Sequence, residues 1–80
     1  MTEEEYHRVR PVIEMAQRLE RSLHVKLIEK GVAPIDALIG SVYASHDLAT
    51  RLHGNPVAAI EWMRDVLDAV ERQVMEAAHG

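Results

Sequence analysis

Apolar residues recur at steps of three and four along most of the chain, and this helical period organises the rest of the sequence. In the first third the stripe runs Val9, Val12, Ala16, Leu19, Leu23 and Leu27, which predicts a helix over about residues 2–30 that turns this stripe toward a core. Thr2 and Glu5 have capping-box spacing at its start. Pro11 projects away from the stripe, and the period keeps its phase there. A proline on the outer side of a curved helix bends it toward the core, so one helix kinked at Pro11 is expected in preference to two helices broken near Arg10. The local alternation at Leu23, Val25 and Leu27 reads as strand, but the longer helical period outweighs it.

A second helix is predicted over residues 34–53. Its apolar residues Ile35, Leu38, Ile39, Val42, Leu48, Ala49 and Leu52 cover roughly half the helical wheel, more than contact with one neighbour needs. This width marks it as a central helix packed on both others. Gly40 stands inside it at an intrinsic cost of about 1 kcal/mol relative to alanine. With Ala37 and Ala44 it forms a low strip where another backbone can come close, either helix 1 of the same chain, the ordinary case in a three-helix packing, or helix 2 of a second copy.

The third helix is predicted over residues 56–78, with Ala59, Ile60, Met63, Val66, Leu67, Val70, Val74 and Ala77 on its core face. Glu61, Arg64, Asp65, Asp68, Glu71, Arg72 and Glu76 lie opposite, where Asp68 and Arg72 have the spacing of an ion pair. Trp62 falls between the two faces beside Ala58, Ala69 and Gln73, as a rim residue over the core edge or as an anchor for a partner. The joints carry stop-and-restart chemistry: Gly31 before Pro34, and Gly54, Asn55 and Pro56 as C-terminal cap, N-cap and first turn. Together these elements predict an all-α fold, a single domain over 1–80 built as an antiparallel three-helix bundle and open to dimerisation.

Composition narrows what such a domain can do. The 80 residues include no Phe and no Cys, so the core must be built from aliphatic side chains, Met and Ala, and disulfides, thiolate chemistry and cysteine-bound zinc are excluded. A cytoplasmic protein is expected. Of the net charge of -4, residues 1–31 contribute none, with six acids balancing six bases, whereas five acids face two bases from Asn55 onward. That excess disfavours nucleic-acid binding, which would have to use Arg8, Arg10, Arg18 and Arg21. No apolar run approaches the roughly 18 residues of a membrane span.

The string Ser45, His46, Asp47 looks catalytic, yet consecutive helical residues point about 100° apart, so the three cannot form a relay among themselves. Ser45 is expected on the core side, and Asp47 pairs with Arg51 on the polar side. His46 and His53 are two turns apart, about 10.5 Å, too far for both to bind one metal ion, so a metal site would need His24 and an acid from another helix beside one of them. They are expected as partly buried imidazoles bonded to a neighbouring helix, and so as candidates for pH sensitivity. No phosphate-binding glycine loop or nucleophile elbow occurs, so no catalytic residue, metal or cofactor is assigned. An obligate-dimer enzyme with an interface pocket, binding an anion through Arg10, Arg18, Arg21 and Arg51, is the alternative class.

What remains is surface for binding. Val25 and Ile28 fall on the polar side of helix 1 near Arg18 and Arg21, an apolar patch with a charged edge, unless Ile28 tucks under the loop at residues 31–34. Trp62 offers a second patch. The expected role is a small non-enzymatic module that binds another protein, as regulator, adaptor or inhibitor of a larger complex. In size and composition alone it is comparable with the inhibitors of phages and mobile elements, anti-CRISPR proteins among them.

Overall fold

The computed structural model describes residues 1–79 and consists of three helices, α1 (Glu3–Glu29), α2 (Pro34–His53) and α3 (Pro56–His79). The fold is all-α, and its helices begin and end where the local chemistry directs. Thr2 caps α1: its hydroxyl accepts from the Glu5 amide at 3.1 Å, and the Glu5 carboxylate accepts from the Thr2 amide at 3.4 Å. Helix α1 then runs through Pro11 as one element, not two.

At its other end the chain turns at Gly31, whose φ of 94° is in the left-handed region. The Val32 amide donates to the Leu27 carbonyl at 3.0 Å and the Gly31 amide to that of Ile28 at 2.9 Å, the two bonds of a Schellman motif. Gly54, with φ of 72°, closes α2. Asn55 caps α3 by accepting from the amides of Val57 and Ala58 at 2.8 and 3.1 Å, with Pro56 in the first position where no amide is needed.

Two compact units divide the chain inside α2. In the first, Thr2–Tyr43, α1 doubles back on the start of α2, with Tyr6, Val9, Ile13, His24 and Leu27 half-buried on α1 and Ala37 and Ser41 covered on α2. In the second, from Ala44 onward, the end of α2 packs on α3, with His46, Ala49 and Thr50 covered on one side and Ala58, Ala59, Met63, Val66, Ala69 and Gln73 on the other.

The burial is thin, and it departs from the expected core. Among the described residues the buried side chains are four alanines, Ala37, Ala49, Ala59 and Ala69, at 0–3 % exposure. Val12, Leu19 and Leu23, expected on the core face of α1, are 46–65 % exposed. They lie about a quarter turn around the helix from the half-buried row, so α1 has a packed stripe and an open apolar stripe side by side. Helix α3 behaves likewise. Its packed side includes Ala58, Ala69 and Gln73, the flank expected at the margin, while Ile60, Leu67, Val70 and Val74 stay open. On α2 the wide apolar surface is not consumed by its neighbours: Ile35, Leu38, Ile39, Val42, Leu48 and Leu52 are at least half exposed. The cause is steric, since helices that meet over alanine approach closely and leave larger side chains to the flanks of the seam.

Two further expectations are corrected. A Cβ placed on Gly40 would meet nothing within 4 Å, and Ala44 is exposed, so within the chain this strip receives no close backbone and only Ala37 of its three members is buried. Asp68 and Arg72 do not pair, whereas Asp47 and Arg51 do, at 3.3 Å.

Gly40→Ala is therefore expected to stabilise the protein by about 1 kcal/mol, by removing backbone freedom from the unfolded chain at a site with room for a methyl group. Asn55→Ala should cost about 1 kcal/mol through loss of the α3 cap. Urea unfolding at a single chain concentration measures both.

Candidate partner-binding surface

The first unit holds a polar cluster between α1 and α2 that places three catalytic residue types together: Glu20, His24 and Ser41. His24 lies four residues after Glu20, on the same face of α1, and the hairpin brings Ser41 to it. Its Nε2 is 3.1 Å from Ser41 Oγ and 3.3 Å from Glu20 Oε1. The Ser41 hydroxyl is also 3.2 Å from the Ala37 carbonyl, to which it donates when the imidazole hydrogen on Nε2 is given to Oγ. A catalytic relay differs in geometry, since there the hydroxyl meets one ring nitrogen while the acid holds the other. Here acid and serine share one nitrogen, which makes the cluster a tie between two helices.

Beside it lies an open groove of about 470 Å³, bounded by Gln17, Glu20, Arg21, His24 and Val25 of α1 and Leu38 of α2. Its walls are mainly apolar, with charge at the edge. Of the candidate partner residues on helix 1, the structure brings Arg21 and Val25 together here with Leu38; Arg18 and Ile28 are exposed but do not line the groove. Ile28 does not tuck under the loop. Reading α1 by itself leaves out Leu38 and Ser41, which reach the site only through the turn at Gly31. The Glu20 and His24 pair was within reach, since four-residue spacing is visible in any sequence.

The second unit separates the residues of the Ser45, His46, Asp47 string. Ser45 is exposed, not core-side, and Asp47 is tied to Arg51. His46 is half-buried and its Nε2 donates to the Pro56 carbonyl at 3.0 Å, joining α2 to the first residue of α3. The Thr50 hydroxyl, which donates to the His46 carbonyl at 2.8 Å, is 3.4 Å from the same nitrogen. His53, by contrast, is exposed and makes no bond to the neighbouring helix; its ring lies tilted against Trp62 with centroids 5.2 Å apart. Trp62 is half-exposed, so the indole combines a packed edge with an accessible one. Among the described residues, no three histidine or acidic side chains converge as a metal site would require, and no helix is long and apolar enough to cross a membrane.

The main feature of the surface is therefore its apolar content: 21 large hydrophobic side chains of the described residues are exposed, all but Met1 on the three helices. No protein-family model, curated protein or solved structure matches the chain.

Ser41→Ala and His24→Ala are each expected to cost about 1 kcal/mol of stability. In the double variant the two losses should fall short of their sum by about 0.5 kcal/mol or more, because both remove the same contact. Strict additivity in urea unfolding would show that the Nε2 to Oγ bond carries no energy.

Proposed function

We propose that this chain is a non-enzymatic protein–protein interaction module, a cytoplasmic regulator, adaptor or inhibitor that acts by docking on another protein. One observation carries the reading: among the described residues four alanines are buried and 21 large apolar side chains are exposed. Exposed apolar residues are ordinary when scattered, but stripes of them along a helix are the hallmark of a surface that meets a partner. The groove at Val25 and Leu38 adds a second argument, since an apolar floor with Glu20 and Arg21 at its edge matches the apolar centre and polar rim of protein interfaces. The side-chain chemistry supports the non-enzymatic part. In the Glu20, His24, Ser41 cluster the acid and the serine meet the same imidazole nitrogen, unlike a relay in which the acid holds the other ring nitrogen.

Affinity capture from the native host followed by mass spectrometry tests this role. A specific partner retained by the wild type is expected to be lost with Val25→Asp, in the groove, or with Trp62→Ala, at the second patch. If wild type and both variants capture the same proteins, docking through these surfaces is refuted.

A further inference from the structure

We propose that the groove between α1 and α2 in the first unit seats an acidic amphipathic segment of the partner protein, which lays an aliphatic or aromatic side chain on Val25 and Leu38 and sets a carboxylate on Arg21. This rests on the docking reading above and deepens it by giving the partner's chemistry.

The walls of the groove decide the apolar half. It lies wholly within Thr2–Tyr43, and Val25 and Leu38 line it at 56 and 52 % exposure. On α2, Ile35 and Val42 continue Leu38 at steps of three and four, and all three are more than half exposed, so an uncharged aliphatic row edges the groove. Asp36, the one charged residue of α2 in this unit, points about 160° away from Leu38 around the helix. A small molecule would find walls on two sides only, short of the near-complete enclosure such ligands receive in their pockets. A protein segment fits an open groove better, because the surfaces around it complete its burial.

Charge selects the sign of the occupant. Three and four residues from Arg21 along α1 stand Gln17, Arg18, His24 and Val25, none of them acidic. The acids nearest along the helix are engaged elsewhere: Glu14 pairs with Arg10 at 3.4 Å, and Glu20 Oε1 lies 3.3 Å from His24 Nε2, at the seam with Ser41. Among the described residues no carboxylate lies within ion-pair distance of Arg18 or Arg21. An incoming carboxylate would gain the two-pronged hydrogen bonding of a guanidinium, whereas an incoming cation would meet two like charges.

Panning the full chain against phage that display short random peptides tests the assignment. The recovered peptides should carry Asp or Glu within a helical turn of an aliphatic or aromatic residue, and should bind Arg21→Glu and Val25→Asp chains roughly tenfold or more weakly. Both side chains are exposed, so the variants should keep their helical circular dichroism. Lysine in place of the peptide's acid should restore binding to Arg21→Glu, and Trp62→Ala, in the other unit, should leave the affinity unchanged. Recovery of no binder, of mainly basic or uncharged peptides, or of acidic peptides indifferent to Arg21→Glu would overturn the proposal. So would a two-chain mass in light scattering that Arg21→Glu returns to one chain, since another copy would then occupy the groove. A native partner lost with Trp62→Ala but retained by Val25→Asp would leave the docking role standing and remove the groove from it.

Discussion

Among the described residues, the side chains fully buried where helices meet are alanines. Ala37 on α2 lies in the first unit, and Ala49, Ala59 and Ala69 lie in the second. A methyl group lets two helix axes come close, and close approach makes the seam narrow, because larger side chains on either side must splay away from it. The thin core, the open stripes and the exposed α2 surface all follow from this one constraint. So does the weight carried by polar ties: where little apolar area is buried, single bonds such as those of His24 to Ser41 and His46 to Pro56 hold a larger share of the helix-to-helix contact.

The joints compensate in a different way. The Schellman turn at Gly31 and the cap at Asn55 satisfy backbone groups that a helix end leaves free, and they do so without any tertiary contact. Each hairpin is thus set up by its connecting residues, and packing then holds it. His46 acts at the boundary between these two levels, reaching from within α2 to the carbonyl of the residue that starts α3.

Residue types associated with catalysis occur together twice in the chain, and the geometry differs between the two. Along α2 the helix turns Ser45, His46 and Asp47 in different directions, so each finds its own surroundings. At the α1 to α2 contact, serine, histidine and acid do converge, and both the serine and the acid meet the same ring nitrogen. The same side chains are good helix-to-helix fasteners for the reason that makes them good catalysts elsewhere: they carry directional donors and acceptors.

The sequence by itself determined the helices, their ends and their capping chemistry, because these depend on residues within a turn or two of one another. Thr2 with Glu5, Gly31, Gly54 and Asn55 with Pro56 act locally, and the three-and-four period survives even at Pro11. It also carried the Asp47 to Arg51 pair and the incompatibility of the Ser45, His46, Asp47 string with a relay. Only the tertiary structure decided which part of each broad apolar face is packed. Periodicity states that Val9, Val12, Leu19 and Leu23 share a side of α1, but the neighbouring helix covers only part of that side, and which part depends on the partner's shape. For the same reason the groove at Val25 and Leu38, the tie of His24 to Ser41 and the empty space over Gly40 could not be read from α1 or α2 alone. Each is a property of two helices at a particular distance and rotation, which no single-helix pattern encodes.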